Sequence, residues 1–94
     1  SGCEFRNLSQ ELLFMQQVGP LTEYQMNFLR AIASGVKTGY GESEIRERHR
    51  LGSASNITRL KTALIRADLI ESDGKKLSFT DPVFARWFKA KFTN

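Results

Sequence analysis

The stretch "ASNITRLKTALIRADLIESDGKKLSFTDP", residues 54–82, decides how the chain is read. Its first half repeats at a helical period. Ile57, Leu60, Leu64 and Ala67 fall three and four apart, a stripe that a helix buries on one side. At about 100° per residue, the opposite stripe holds Ser55, Arg59, Thr62 and Arg66, with Asn56 and Thr58 beside it. One face is apolar; the other is small polar groups plus arginine. The second half changes period. Asp73-Gly74 stands between Leu69-Ile70 and Leu77-Phe79, a strong hairpin signal, because a type I′ turn needs positive φ at both centres. Lys75 and Lys76 follow the expected tip. Asp81-Pro82 then ends the return strand. Asp81 or Thr80 caps a new helix whose first residue is Pro82, where a missing N–H costs nothing.

Working outward, "RLGSAS" before this stretch is a turn. Gly52 supplies a permissive backbone and Ser53 the N-cap of the helix over 54–67. A short helix precedes the turn at about 42–49, with Ile45 as its core residue. "GVKTGYG" is a loop with three glycines. Upstream, Thr22 with Gln25 three positions on forms a capping box, which opens a helix over 22–34. That helix carries Tyr24, Phe28, Ala31 and Ile32 on one side, and Gly35 stops it. "LSQELLFMQQ" suits a further helix at 8–17 through Leu8, Leu12, Leu13 and Met15, ended by Gly19-Pro20. At the other end, Phe84, Trp87, Phe88 and Lys91 lie at helical spacing in a helix over 81–92.

The order is helix, helix, turn, helix, two-stranded hairpin at 69–80, helix. A lone hairpin is unstable in water and must lie against the helices. The expected fold is mainly α with a small β-hairpin: a winged helix-turn-helix, a three-helix core plus wing, with extra N-terminal and C-terminal helices. Residues 21–94 form the domain and residues 1–20 an N-terminal helical extension. Ser1-Gly2, at a start without Met, suits a tag remnant and an excised fragment.

The bulk numbers agree with one such domain. The 94 residues are 40% hydrophobic and 26% charged, as in ordinary globular domains. No apolar run approaches the ~20 residues that span a bilayer. The start has no basic region followed by an apolar one, so a secretory signal is not expected. Cys3, the only cysteine, excludes an internal disulfide and reads as an incidental thiol. Cytoplasm is the default compartment. The net charge of +4 is unevenly placed. Residues 43–66 hold Arg46, Arg48, Arg50, Arg59, Lys61 and Arg66 against Glu44 and Glu47, so the excess sits in this central stretch. Concentrated basic charge favours polyanions, although a charge run is also the ordinary solvated face of a helix.

In a helix-turn-helix the second helix of the motif enters the major groove with its N-terminal side chains. Here that is the helix over 54–67. Arg59 has the fork that grips guanine O6 and N7, and Asn56 the amide that pairs adenine N6 and N7. Ser53 and Ser55, with the free N–H groups of the helix start, suit a phosphate. Thr62 and Arg66 continue the face, Lys75 and Lys76 reach backbone from the wing, and Arg48 and Arg50 flank it. Double-stranded DNA is therefore one expected partner. Glu71 and Asp73 weaken the wing's attraction for phosphate, and an amphipathic helix puts polar residues outside in any case. A protein-interaction or intramolecular regulatory module stands beside the DNA reading, supported by the aromatic last helix.

Catalysis finds no support. There is no Gly-Lys-Ser/Thr turn for nucleotide phosphates. His49, the only histidine, lies in "RERHR" with no partner at ligand spacing. It reads as a solvated helix-end residue interacting with the helix dipole. No paired carboxylates and no activated nucleophile are evident. Neither a metal nor a cofactor is expected, and Trp87 reads as a core or interface anchor.

Three segments, "LTEYQMNFLRAIASG", "LGSASNITRLKTALIRADLI" and "LSFTDPVFARWF", together resemble the C-terminal winged-helix region of prokaryotic AAA+/STAND-type P-loop ATPases. The resemblance covers about Leu21 to Phe92 and is strongest from Phe79 to Trp87. It implies a non-catalytic tail whose nucleotide site lies in an upstream P-loop ATPase domain of the same chain. In that family the winged helix is thought to bind DNA or to regulate the ATPase by packing on it. The resemblance implies either role here.

Overall fold

The computed structural model describes the backbone of residues 2–93 and the side chains of residues 10–93. The elements run α1 (Gly2–Val18), α2 (Glu23–Ala33), α3 (Ser43–His49), α4 (Ala54–Arg66), β1 (Ile70–Asp73), β2 (Lys76–Phe79) and α5 (Pro82–Phe92). β1 and β2 pair antiparallel as one two-stranded sheet. The order matches the sequence expectation. The side chains of Cys3 and Leu8 lie outside the described residues.

The helix starts form as the caps dictate. Thr22 accepts the Gln25 N–H while Gln25 Oε1 accepts the Thr22 N–H, the reciprocal box that satisfies two orphan donors of α2. Ser53 Oγ accepts the Asn56 N–H at the start of α4. Asp81 accepts the Val83 N–H at the start of α5. The Thr80 hydroxyl is used elsewhere, donating to the Asp68 carbonyl at 2.6 Å.

The stops are alike in α2 and α4. In α2, Val36 N–H bonds Ala31 O and Gly35 N–H bonds Ile32 O; in α4, Leu69 N–H bonds Leu64 O and Asp68 N–H bonds Ile65 O. These are Schellman closures, which need a left-handed residue after the cap. Gly35 fills that place in α2 (φ +105), but Asp68 fills it in α4 (φ +61). Aspartate is among the few side chains that visit this region.

One core joins all the elements. Phe28, Leu29, Leu51, Leu64, Ile70 and Phe88 are fully buried, each contributing about 1.5–3 kcal/mol by burial. Ile57, Leu60 and Leu64 bury as the stripe of α4 requires, while Ala67 is exposed because it caps the helix; Leu69 takes over from it inside. In α2 the buried set is Asn27, Phe28, Leu29, Ala31 and Ile32, and Tyr24 turns outward. In α1 the inward residues are Phe14 and Val18, and Leu12, Leu13 and Met15 face out. Phe14 meets the last helix edge-on at Phe84, 5.1 Å away, and tilted at Trp87, 5.3 Å away. Phe79, Phe84, Phe88 and Phe92 continue that aromatic cluster.

The glycine-bearing loop before α3 is part of the core rather than a free connector. Tyr40 is buried, stacks on Phe28 at 4.9 Å, and donates its hydroxyl to the Val36 carbonyl. Burial pushes the phenol up to about 12. Leu77 N–H bonds the Lys37 carbonyl, so the same loop also holds the wing.

The hairpin turn sits one residue later than expected. Asp73 pairs with Lys76, which leaves Gly74 and Lys75 as the two turn residues, and only Gly74 of them has positive φ (+65). That is the type II′ pattern, with glycine first, instead of type I′ on Asp73-Gly74. At the base, Asp68 is held left-handed by the end of α4, Ile70 pairs with Phe79, and Thr80 N–H bonds Leu69 O beyond them.

Candidate nucleic-acid interface

α4 is positioned by its apolar stripe and by the turn that precedes it. The turn begins at Arg50, which is left-handed (φ 55, ψ 56), and passes through Gly52 (φ +87). Asn56 Nδ2 donates to the Leu51 carbonyl at 2.9 Å and braces this turn from the helix side. A Cβ at Gly52 would lie 2.9 Å from that same amide nitrogen. Glycine is required there both by its conformation and by the close approach of Asn56. Arg46 adds a second brace, its guanidinium donating to the carbonyls of Gly41 and Gly52.

Four of the residues singled out in the sequence meet at the start of α4. Ser53, Ser55, Asn56 and Arg59 line one open hollow together with Tyr24 and Gly52. Ser53 and Ser55 hydroxyls are 3.1 Å apart. Ser53 is committed to capping, and Asn56 spends one N–H on the turn, keeping Oδ1 and the other N–H free. Arg59, Thr62 and Arg66 are exposed along the same helix. Neither Arg59 nor Arg66 has a hydrogen-bond or ion-pair partner among the described residues. Lys75 and Lys76 are exposed on the wing, Lys75 within the turn itself and Lys76 directly opposite Asp73. With Glu71 also on β1, the wing carries as many acidic as basic side chains.

Tyr24 was missed as a member of this face, because the α2 pattern reads it as core. Its position in the first turn, with a polar tip, is the signal available. His49 also departs from expectation. It is partly buried, and its pKa is lowered by burial and by the neighbouring Arg48 charge. Those effects outweigh the helix end, which would favour the charged form. Among the described residues no group of three or more metal-ligating side chains gathers, and no helix is long and apolar enough to cross a membrane.

This geometry, three helices with a tight turn before the third and a hairpin after it, has a counterpart among known families. A family model described as "Probable winged helix domain" matches residues 12–90. The chain belongs to this family. The match takes in the second half of α1, where Phe14 and Val18 enter the core. No curated protein and no solved structure matches the chain. The winged helix domain is thus the family of the whole folded unit, from the inward residues of α1 to the aromatic turns of α5.

Proposed function

We propose that this winged helix domain is a non-catalytic, cytoplasmic DNA-binding module that contacts duplex DNA through α4 and the wing. The observation that carries the reading is the outer face of α4. Ser55, Arg59, Thr62 and Arg66 are exposed in line, and the two guanidinium groups have no partner among the described residues. A charge left uncommitted on a rigid helix is available to a phosphate or a base edge. Arg59, in the first half of α4, reads base edges; Ser53, Ser55 and the helix start take a phosphate; Lys75 and Lys76 take backbone. The resemblance to AAA+/STAND-type ATPases supports placing the domain behind a P-loop ATPase domain in the same chain.

The test is binding to duplex DNA across a salt series. Affinity should fall log-linearly with salt, and Lys76→Ala should weaken all sequences alike and lower the slope by up to about one. Asp73 opposite Lys76 keeps that change at or below one. A domain without salt-dependent affinity at low ionic strength does not bind DNA.

A second reading, docking on the ATPase domain, is favoured by the surface where α1 meets α5. Leu12, Leu13, Met15 and Val83 are exposed there. A hollow of about 450 Å³ between α1 and α5 is lined by Phe14, Val83 and Trp87. Protection of these residues from solvent when the ATPase domain is added would establish this reading; unchanged exposure would remove it.

A further inference from the structure

Beside the face of α4, a second hollow collects several basic side chains. It measures about 300 Å³ and is lined by Glu23, Asn27, Arg30, Arg48, His49 and Arg50. Two carboxylates bear on it: Glu23 in its wall, and Glu44, which holds Arg48 at 2.9 Å from the solvent side. Arg50 has no side-chain partner among the described residues. Arg30 gives one bond from Nη1 to Asn27 Oδ1 at 3.2 Å, and its Nε is buried without a partner among the described residues.

Arg30 and the backbone of Arg50 are braced before any ligand arrives. Asn27 is only 9% exposed. Its Oδ1 accepts from Arg30 while its Nδ2 donates to the Arg50 carbonyl at 3.1 Å. One buried amide therefore ties the Arg30 guanidinium to the backbone of Arg50. It also occupies the carbonyl that would repel an anion at the end of α3. Arg30 is held on its other side by the Phe92 ring, 6.0 Å from the guanidinium carbon. Arg50 occupies a left-handed backbone position, where glycine is the ordinary residue.

We infer that this hollow binds a phosphate group. Planar guanidinium forks match the oxygens of phosphate, and forks from two directions suit a group with more than two acceptor oxygens better than a carboxylate. The hollow adjoins the start of α4. Glu23 lines it while Tyr24 lines the neighbouring one, and Arg50 and Gly52 stand on either side of Leu51. If the DNA reading above holds, on which this source of the phosphate rests, a duplex seated on α4 continues its backbone into the hollow. The other source is a free phosphate.

The test uses Arg50→Gly, which keeps the left-handed backbone and removes only the guanidinium. The first arm titrates inorganic phosphate, with chloride as control, and follows the amide resonances of Asn27, His49 and Arg50. Saturable shifts that vanish in the variant are expected. The second arm measures duplex DNA affinity against salt; Arg50→Gly should lower the log–log slope by about one. Shifts without a change in slope identify free phosphate as the source and sustain the inference. A phosphate response that is linear or unaltered by the substitution, together with an unchanged slope, overturns it. Arg59→Ala separates the two readings. If it weakens DNA binding while Arg50→Gly does nothing in either arm, the DNA reading stands and this site falls. If DNA is not bound but phosphate saturates the hollow, the site stands alone.

Discussion

The outer face of α4 and the α1–α5 end differ in what their side chains are committed to. On α4 the outward side chains touch solvent, and the helix is held from behind by Ile57, Leu60 and Leu64. At the α1–α5 end the side chains hold the fold itself. Phe14, Phe84, Trp87, Phe88 and Phe92 form a continuous set of ring contacts, and Glu11–Lys91 bridges the two helices at 3.0 Å. That exposed pair lowers the Glu11 pKa, first by hydrogen bonding and then by the Lys91 charge, but exposed pairs add little to stability. The comparison teaches that stability and contact chemistry rest largely on different side chains, which meet where Phe92 lies over Arg30. Substitutions at one end should change folding, and at the other recognition.

The largest expected effect tests the aromatic end. Phe88 is fully buried, and Phe88→Ala should cost about 3–5 kcal/mol in urea unfolding. In a domain whose total stability is of order 5–15 kcal/mol, that leaves little margin. A loss below about 1 kcal/mol would mean that the cluster is not what holds α5.

Arg59→Ala is the matched change on the other face. It should leave stability within about 0.5 kcal/mol while costing about 1–3 kcal/mol in DNA affinity and relaxing preference at one base position. A clear fall in melting temperature would break the separation between the two regions.

A cap is a smaller test. Asp81→Ala removes the acceptor for the Val83 N–H, and the expected loss is about 1 kcal/mol in thermal unfolding. Unchanged stability would show that Pro82 alone suffices to start α5.

The smallest effect is confined to alkaline pH. The Tyr40 phenol is raised to about 12 in the fold by burial, against 10.0 ordinarily. The neutral form is favoured in the folded state, so this contribution is whole below pH 10 and is lost as pH rises from there towards 12. Melting temperature measured over that window should decline, and Tyr40→Phe should flatten the decline.

The parts of this molecule that were legible in the sequence are those fixed locally. The stripe of α4 has one apolar and one polar side, so its period names both faces. The Thr22–Gln25 box and the Ser53 cap depend on residues three apart. The helix of α1 was legible but its buried face was not, because Leu12, Leu13, Phe14, Met15 and Val18 surround much of it, and a local pattern does not say which of them meets α5. Tyr40 sits among glycines in a loop, and its burial is decided by Phe28, twelve residues away in sequence. The turn frame was not legible locally, since both Asp73-Gly74 and Gly74-Lys75 are acceptable hairpin turns. At the candidate interface the residue types of α4 were legible. The hollow lined by Arg30 and Arg50 was not, because Asn27 joins them across two helices.

The bond from the Leu77 amide to the Lys37 carbonyl means that the wing is not a free two-stranded arm. In hydrogen exchange, the Leu77 amide should be protected by a residue outside its own hairpin. Its amide therefore exchanges only when the wing leaves the loop of Val36 and Tyr40. Because Tyr40 stacks on Phe28, that opening reaches the centre of the domain. The wing, loop and α2 thus behave as one cooperative opening unit, and an exchange rate read at the wing reports on the core.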